Sequence, residues 1–383
     1  MAEPSFNFLE FFAGAGMARL GLGSEWKCLL ANDIDPIKAA SYRANFAPAH
    51  ELTLRDVGTV SADDISERAD LAWASFPCQD LSLAGNGAGL KGGRSGTFWS
   101  FWRIISELRT QDREPSIIAL ENVYGTLTSN KGRDFSAIVG ALVSEGYRVG
   151  ALVIDAVHFV PQSRPRLFIV GVQAKVAFPE SLRSSVPVNA WHSQAVIDAF
   201  ESLPTGLKEN WIWWKVPLPR STRKSLSAII EEYPSGVVWN SAEKTAQLLD
   251  MMSPLNASKV NDAVKSGRMQ VGTIYRRTRL SPAGQKVQRA EVRFDGIAGC
   301  LRTPGGGSSR QTVLIIEGKS IRSRLLSPRA AARLMGLPER YKLPSNYNAA
   351  YHLAGDGVAV PVVRHLGRTL FKPLLAGSLM TAD

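Results

Sequence analysis

Short apolar runs alternate with stretches of helical spacing from residue 6 to residue 172 of the chain. Runs of strand type cover residues 6–12, 28–34, 71–76, 117–120, 149–154 and 167–172. Apolar positions three and four apart predict helices at residues 17–22, 36–46, 97–108 and 135–144. Strands that alternate with helices predict a Rossmann-like, doubly wound α/β sheet whose strands are mostly parallel.

The alternation of strand and helix patterns stops after Gly171, and the chain that follows is rich in prolines, tryptophans and basic residues. Helical spacing returns at Ser327, a residue type that caps helix starts. We therefore predict one domain from residues 1–175 together with 322–383. A second, smaller and irregular domain is predicted from residues 176–321.

The positive charge of the chain is concentrated in one segment of the second domain. The formal net charge is +11, and ten lysines and arginines are set against three acids between residues 262 and 310. Such a local excess predicts a polyanionic partner, because neutralising its phosphates releases counterions. A solvated basic face with no partner is the alternative that charge alone leaves open.

The cysteines predict neither a disulfide framework nor a metal site. Cys28, Cys78 and Cys300 are few and scattered, and none belongs to a Cys-x-x-Cys pair. With 45% hydrophobic and 21% charged residues, the composition fits a soluble globular protein in a reducing, intracellular setting. No apolar run has the length that spans a bilayer, and the first residues lack the basic leader of a signal peptide. We expect no metal and no membrane association.

Reactive or charged residues lie at the ends of several predicted strands. Cys78 comes directly after the third strand as a candidate nucleophile, and Glu121 follows the fourth strand as a candidate acid or base. Arg164 and Arg166 precede the last strand, and their spacing predicts that they face the same side of an extended segment. The carboxyl ends of parallel strands meet at one sheet edge, where such folds bind ligands. Taken singly, Glu121 could instead form a core ion pair, and the arginines could form surface salt bridges.

A glycine-punctuated turn, Ala13-Gly14-Ala15-Gly16, joins the first strand to the first helix, and Asp33 lies at the end of the second strand. Glycine allows the backbone to approach a ligand closely, and a carboxylate in this place meets ribose hydroxyls in nucleotide-binding folds. A tight connection with no ligand is the alternative. Cysteine, glutamate and arginines beside such a turn suggest covalent catalysis on an electron-poor ring that must be protonated and held.

These residues lie in motifs that resemble those of the DNA (cytosine-5) methyltransferases, a family that uses S-adenosylmethionine. In the family's order the matching segments are residues 8–16, 55–57, 76–79, 121–123, 162–166 and 324–336. The order of Phe-Pro-Cys-Gln, Glu-Asn-Val and Gln-x-Arg-x-Arg is highly specific. The resemblance covers nearly the whole chain outside residues 172–320.

The resemblance implies catalytic roles for four residues. Cys78 would add to C6 of cytosine, so that C5 becomes nucleophilic enough to attack the methyl group of the cofactor. Glu121 would hold N3 and protonate it, while Arg166, together with Arg164, would bind O2 of the base. None of these groups could reach C6 in a stacked duplex, so the cytosine would be flipped out.

The resemblance also implies a site for S-adenosylmethionine, which leaves as S-adenosylhomocysteine. Its expected residues are Phe12, Ala13, Gly14, Gly16, Asp33, Ile34, Asp56, Pro77, Phe98, Asp356 and Gly357. The tenth motif departs from the family, which usually has asparagine where this chain has Asp356. A carboxylate there favours a sulfonium cation but lacks the amide donors, so the departure bears on cofactor affinity.

Double-stranded DNA is the substrate that the resemblance implies, and residues 176–321 would form its target-recognition domain. The expected DNA contacts are Gln79, Ser82, Lys91, Arg94, Gln162, Arg276, Arg277, Arg279, Arg302 and Arg310. The glycine-rich segment 82–95 would close on the flipped base. Trp211, Trp213 and Trp214 are expected to form the small core of the second domain.

Three functions fit the sequence, and an active DNA methyltransferase leads because Cys78, Glu121 and Arg166 are all present. A non-catalytic DNA-binding relative is the second. An RNA cytosine methyltransferase is the third, although that branch of the family carries a shorter variable domain. For the leading function we expect a monomer, bacterial or phage-encoded, that acts in the cytoplasm on the nucleoid. A cognate restriction endonuclease that cuts the same site is a further expected partner.

Overall fold

The computed structural model describes residues 5–77, 96–220, 223–281, 284–303 and 310–379. The chain divides into two compact units. Unit 1 consists of residues 1–155, 165–220 and 360–383, and unit 2 consists of residues 156–164 and 221–359. Each unit is therefore assembled from separate segments of the chain. Among the described residues, no helix is both long and apolar enough to cross a membrane.

Unit 1 is built on a seven-stranded sheet with the order β3-β2-β1-β4-β5-β7-β6. Its strands are β1 Phe6–Phe11, β2 Trp26–Asp33, β3 Leu52–Leu54, β4 Leu71–Ala74, β5 Ile117–Val123, β6 Tyr147–Asp155 and β7 Pro165–Gln173, beside a small pair, β8 Arg183–Ser184 and β9 Trp213–Trp214. Strands β1 to β5 pair in parallel, whereas β7 is antiparallel to both β5 and β6. The predicted mostly parallel, doubly wound α/β sheet is thus confirmed. The strand order changes direction between β1 and β4, and ligands bind at such a point.

The described helices of the two units include the four that periodicity predicts at residues 17–22, 36–46, 97–108 and 135–144. In chain order the described helices are α1 Met17–Leu22, α2 Pro36–Asn45, α3 Thr97–Thr110, α4 Arg133–Ser144, α5 Gln194–Glu201, α6 Thr205–Lys208, α7 Leu226–Ile229, α8 Ala242–Asp250, α9 Pro254–Lys265, α10 Pro328–Leu334, α11 Tyr347–Asp356, α12 Val360–Leu366 and α13 Lys372–Leu379. Helix α2 begins where it does because Asp35 accepts hydrogen bonds from the amides of Ile37 and Lys38. Helix α3 buries Phe98 and Phe101 on one stripe, which packs into the core of unit 1.

Trp211, Trp213 and Trp214 are core residues, as predicted, but their core is that of unit 1. The Trp214 indole donates from Nε1 to the carbonyl of Val170 in β7, at 3.2 Å. Gly150 in β6 makes room for this ring, because a Cβ there would lie 2.6 Å from it. These contacts hold the tryptophan segment against the sheet. Unit 1 therefore extends to residue 220, beyond the predicted boundary at residue 175.

Unit 2 contains a four-stranded antiparallel sheet with the order β11-β10-β12-β13. Its strands are β10 Gln270–Leu280, β11 Lys286–Arg293, β12 Thr312–Glu317 and β13 Ser320–Leu325. Residues from α8 and α9 close a core against Ile274, Ala290 and Leu314 of the sheet. This unit is more regular than predicted. Strand β10 was not predicted because its last five residues are exposed and therefore show no alternation of apolar and polar positions. Its carboxyl boundary lies at residue 359 and not at the predicted residue 321, since β13 completes its sheet.

Candidate active site

The glycine-rich turn after β1 and the carboxylate at the end of β2 are hydrogen-bonded to each other. The Gly14 amide donates to Asp33 Oδ2 at 2.7 Å, and the Asp35 amide donates to Asp33 Oδ1 at 2.8 Å. Gly14 and Gly16 have φ values of +56° and +76°, which favour glycine. At Gly16 a Cβ would also overlap the ring of Phe46. Two segments that the sequence predicts for cofactor binding therefore form one structure at the carboxyl ends of β1 and β2.

Apolar side chains that stay exposed surround the end of β2. Ile34, Ile37 and Leu54 are 65%, 55% and 40% exposed, and Leu54 is the register partner of Asp33. A purine ring would cover such a surface, with Asp33 beside it for ribose hydroxyls. The residues present therefore fit an adenosine-containing cofactor.

A buried asparagine holds the next part of this edge. Asn32 is 1% exposed and donates from Nδ2 to the carbonyls of Thr53 and Arg55, at 3.2 and 2.9 Å. The following residue, Asp56, accepts a hydrogen bond from the Gly58 amide at 2.7 Å and caps a short helical turn. The sequence reasoning missed Asn32, although an amide at the end of a predicted apolar strand was a usable signal.

The other predicted cofactor residues on this side of the sheet differ in exposure. Phe12 is half-buried, and the amide of Ala13 donates to the carbonyl of Asn32 at 2.9 Å. Phe98 is fully buried, with its ring 5.3 Å from Phe76 between centroids and stacked on Trp102. Phe98 thus has a core position in this structure, and a cofactor contact for it stays a prediction.

Glu121 and Arg166 form an ion pair at the carboxyl end of β5. Glu121 Oε1 lies 3.2 Å from Arg166 Nε, and their side chains are 8% and 16% exposed. Strand register explains the pair, because Arg166 faces Val123, two residues from Glu121 on the same face. Arg166 Nη1 also donates to the carbonyl of Pro165 at 3.0 Å. A guanidinium carries five N–H donors, more than these two contacts use, so it can bind a further acceptor.

Asn122 joins this strand to the segment that leads to Cys78. Its Nδ2 donates to the carbonyl of Phe76 at 3.2 Å, and its Oδ1 accepts from Thr126 Oγ1 at 3.1 Å. The side chain is 5% exposed, so these bonds are sheltered from water. They fix the backbone two residues before Cys78 relative to Glu121. Asn122 belongs to the Glu-Asn-Val motif, but the sequence alone predicts no role for it.

Several predicted site residues lie outside the residues that the structure describes: Cys78, Gln79, Ser82, Lys91 and Arg94. The predicted closing segment 82–95 lies outside them as well, and all these roles stay predictions. The described chain reaches Pro77. Ala74 and Leu120 are partners in the neighbouring parallel strands β4 and β5, so both strands direct the chain to the same sheet edge.

Arg164, which the sequence predicts to bind the target base together with Arg166, bonds to backbone carbonyls of unit 2 in this structure. Its side chain is 1% exposed. Nη1 donates to the carbonyl of Leu301 at 3.0 Å, and Nη2 donates to the carbonyls of Gly355 and Gly357 at 2.8 and 2.7 Å. These three carbonyls engage the guanidinium, and the predicted base contact of Arg164 stays a prediction. Arg164 is a positioning residue that holds the turn of the tenth motif.

Gln162 is also buried in unit 2, at 0% exposure, and the predicted DNA contact of its side chain stays a prediction. Its Nε2 donates to the carbonyl of Leu334 at 2.7 Å, and its Oε1 accepts from the amide of Leu301 at 3.1 Å. The two polar residues of this motif therefore hold backbone segments together inside unit 2.

Asp356, where the tenth motif departs from the family, is the last residue of α11. Its carboxylate accepts a hydrogen bond from the hydroxyl of Thr303. The carbonyls on either side of it, at Gly355 and Gly357, are those that accept from Arg164. The turn is thus held from two directions within unit 2, and the predicted cofactor contacts of Asp356 and Gly357 stay predictions.

Removal of Arg164 is expected to destabilise unit 2. Arg164→Ala leaves three buried carbonyls without their donors, which is expected to lower the free energy of unfolding by roughly 3–5 kcal/mol. The exposed Arg268 offers a matched control, and Arg268→Ala is expected to change stability by less than about 0.5 kcal/mol. Urea denaturation of both variants tests this. Wild-type stability in Arg164→Ala would contradict the structural role.

Glu10 is a buried carboxyl group in β1 to which the sequence reasoning gave no role. It is 1% exposed, and its Oε1 accepts from the amide of Arg19 at 3.3 Å. Among the described residues, Oε2 has no hydrogen-bond partner. Burial raises the pKa of Glu10 to about 8, so the group is largely protonated at neutral pH. The signal for this site was the acid that interrupts an apolar run directly before the glycine-rich turn.

This burial predicts a pH-dependent stability that Glu10→Gln removes. The pKa of Glu10 is 4.5 without burial and about 8 in the fold, so in this window the unfolded state binds fewer protons. The free energy of unfolding should therefore fall as pH rises, by up to about 1.4 kcal/mol per pH unit. Denaturation of wild type and variant across this window tests it. Burial lowers the pKa of His192 to about 4, so this residue makes the free energy of unfolding rise with pH. The contribution of His192 is the same in wild type and Glu10→Gln, and the difference between the two slopes therefore reports on Glu10 alone. Equal slopes for the two proteins would contradict the prediction.

The remaining predicted DNA contacts are basic residues of unit 2 that reach solvent. Arg276, Arg277 and Arg279 are exposed on β10, and Arg302 is exposed as well. Arg310 is half-buried and donates from Nη2 to Asn348 Oδ1 at 2.6 Å. Strand alternation puts Arg277 and Arg279 on one face of β10 and Arg276 on the other. Their contact with DNA stays a prediction.

Comparison with known proteins identifies the family of the chain. The chain matches the family of C-5 cytosine-specific DNA methylases over residues 6–372. The type II methyltransferase M.BsuFI of Bacillus subtilis is 27% identical over 377 residues, which cover 97% of this chain and 74% of that protein. M.HpaII of Haemophilus parainfluenzae, also a type II methyltransferase, is 26% identical over 391 residues, or 97% of this chain and 91% of that one.

Among solved structures, the Dnmt2 methyltransferase of S. pombe shares the fold, with a TM-score of 0.55 and 16% identity. The similarity covers 97% of this chain and 98% of that one. The family match spans nearly all of the chain, and the fold agrees with it. The chain therefore belongs to the C-5 cytosine-specific DNA methylase family and is a DNA (cytosine-5) methyltransferase.

Proposed function

We propose that the protein transfers a methyl group from S-adenosylmethionine to C5 of a flipped-out cytosine in a specific duplex DNA sequence. The reaction passes through a transient bond between Cys78 and C6 of the base. The buried pair of Glu121 and Arg166, 3.2 Å apart at the end of β5, is the observation that carries this proposal. Cytosine presents two neighbouring acceptors, N3 and O2, which match a carboxyl group that can carry a proton and a guanidinium beside it.

The residues act in a fixed order. The Cys78 thiolate adds to C6, the electron pair of the C5–C6 double bond moves into the ring, and Glu121 delivers a proton to N3. Arg166 donates to O2 and holds the ring next to the carboxyl group. C5, now enamine-like, takes the methyl group. The proton on C5 then passes to a base, for which water is the simplest candidate. As it leaves, the C5–C6 double bond forms again and Cys78 is expelled. The proton on N3 returns to Glu121.

The cofactor supplies an electrophilic methyl group on a sulfonium centre and leaves as S-adenosylhomocysteine. The turn that contains Gly14 and Gly16 would approach it with backbone amides, and Asp33 would accept hydrogen bonds from ribose hydroxyls. Exposed Ile34 and the Asp56 segment would contact the adenine. The other proposed contacts are Phe12, Ala13, Pro77, Phe98, Asp356 and Gly357. Support comes from the hydrogen bond between Gly14 and Asp33 and from the exposed apolar surface around the end of β2.

The target base has to leave the helix, because none of these groups could reach C6 inside a base stack. We propose that residues 82–95, with Lys91 and Arg94, close over the flipped cytosine, and that Gln79 and Ser82 contact the DNA beside it. Phosphates are expected to meet the basic residues of unit 2, among them Arg302 and Arg310.

The relatives are named type II methyltransferases. This supports a place in a restriction–modification system, where a cognate endonuclease cuts the sequence that the methyltransferase protects. We further propose a monomer that acts in the cytoplasm of a bacterium, from a bacterial or phage genome.

Methylation sequencing of DNA from cells that express the chain tests the function. We expect 5-methylcytosine at one recurrent sequence, and none in cells that express Arg166→Ala at the same level. Selective DNA binding without methylation would favour a non-catalytic relative, and 5-methylcytosine in RNA alone would favour the RNA-acting branch. Either result would overturn the proposal.

A further inference from the structure

The outer half of the β10–β11 hairpin is a two-stranded ribbon. Among the described residues, β12 pairs with β10 only from Gln270 to Ile274, whereas β11 pairs with β10 up to Leu280. Within the sheet, residues 275–280 and 286–291 therefore pair only with each other, and Ala290 also forms a bridge with Met252 outside it. At about 3.3 Å per residue the ribbon extends roughly 20 Å past the four-stranded part of the sheet. A ribbon of this kind is one of the two elements that the DNA major groove admits.

The two faces of this ribbon differ in their chemistry. Arg277 is the register partner of Arg289, and both share a face with Arg279 and Glu291. The opposite face carries Ile274, Ala290 and Val292, which are buried in the core of unit 2, and Arg276 beyond them. We call the side with Arg277, Arg279, Arg289 and Glu291 the arginine face. It faces away from the core and carries a net charge of about +2.

Glu291 lies between two of these arginines. Its Oε1 accepts from Arg279 Nε at 2.6 Å, and its Oε2 lies 3.4 Å from Arg277 Nε. The side chains of Arg277 and Arg279 stay 45% and 51% exposed. The carboxylate therefore orients both guanidinium groups from their inner edges. Arg277 contacts Glu291 through Nε, and its two terminal nitrogens form the fork that can bind an acceptor pair.

A carboxylate in this place distinguishes base reading from phosphate binding. On a face that bound phosphates alone, Glu291 would repel the backbone and weaken binding. On a face that reads bases, a carboxylate that holds an arginine fork in one orientation improves discrimination, as a fixed fork matches the O6 and N7 acceptors of guanine. The position of Glu291 thus favours base reading.

We propose that the arginine face of this ribbon enters the major groove and that Arg277, held by Glu291, reads a guanine in the recognition sequence. The inference rests on the proposed function for its substrate, duplex DNA. Arg277 is a specificity residue, and Glu291 is a positioning residue that acts through it. Arg276, on the opposite face, contacts the phosphate backbone.

Selection of bound duplexes from a random library, with the full chain, tests this without any methyl transfer. We expect the wild-type protein to enrich one sequence with a guanine outside the target base pair, and to bind about 5- to 150-fold more weakly when that pair is replaced. Arg277→Ala should lose the preference at this position. Glu291→Gln should reduce the preference at the same position while the thermal unfolding midpoint is unchanged.

Arg276→Ala is the matched comparison on the other face of the ribbon. It should weaken binding to all duplexes alike and lower the slope of log K against log salt by about one unit. Such a uniform loss in Arg277→Ala would identify a phosphate contact and overturn the inference, as would a wild-type protein that selects no guanine. Guanine selection by a protein that methylates nothing would instead leave this inference standing and overturn the proposed function.

Discussion

Cys78→Ala is expected to abolish methyl transfer, with turnover reduced on the order of 10⁴-fold or more. Without the thiolate, C5 of cytosine has no route to enamine character. Binding of S-adenosylmethionine and of duplex DNA should change only a few-fold, because the remaining groups of the site stay in place. Transfer of labelled methyl groups, measured beside equilibrium binding of both ligands, tests the prediction.

Cys28 provides the matched control for this substitution. It lies in β2, and burial raises the pKa of the Cys28 thiol well above its ordinary value, so the thiolate does not form at neutral pH. Cys28→Ala should keep the wild-type rate, with a modest loss of stability from the small cavity. Turnover that survives in Cys78→Ala and disappears in Cys28→Ala would refute the assignment of the nucleophile.

Glu121→Gln is expected to lower kcat by about 10²- to 10⁴-fold with little change in KM. The amide keeps the shape of the side chain and can still hydrogen-bond to N3, but it cannot deliver a proton as Cys78 adds to C6. The loss should therefore fall on the chemical step and not on binding. Steady-state kinetics with saturating cofactor, in which kcat and KM are determined separately, measure this.

The same strand region offers a control for the loss of a buried carboxylate. Glu114 precedes β5 at its opposite end, is 11% exposed and lies 2.9 Å from Lys175, much as Glu121 lies beside Arg166. Glu114→Gln removes a comparable pair far along the strand from the predicted chemistry, so its kcat should match that of the wild type. Equal losses in the two variants would mean that the effect is structural, and Glu121 would then lose its role.

The sheet of unit 1 and the position of Glu121 and Arg166 at one of its edges could be predicted because both follow from local pattern. Apolar runs predict the strands, and the predicted end of the fourth strand places Glu121 at the edge of the sheet. Strand alternation predicts that Arg164 faces the same side as Arg166. However, β7 begins at Pro165, so Arg164 precedes the regular strand. Its side chain bonds to carbonyls of Leu301 and of residues around Asp356, contacts across more than a hundred positions that no local pattern encodes.

Burial was the second property that the sequence did not reveal. Gln162 belongs to a polar motif, yet it is fully covered and bonds to backbone in unit 2. Glu10 and Asn32 are polar residues of apolar strands, and their importance depends on which neighbours reach them. The boundaries of the units differ from the predicted domains for a related reason, since Trp214 packs on β6 and β7 of unit 1 through contacts that its local sequence does not encode.

Covalent trapping on duplex DNA with 5-fluorocytosine at the target position tests the central claim most directly. Fluorine at C5 cannot leave as a proton does, so the bond between the enzyme and C6 persists after methyl transfer. The account predicts a denaturant-resistant protein–DNA complex that requires S-adenosylmethionine, maps to Cys78, persists in Cys28→Ala and is absent in Cys78→Ala. No complex with any methylated sequence, or a complex that maps to another residue, would contradict it.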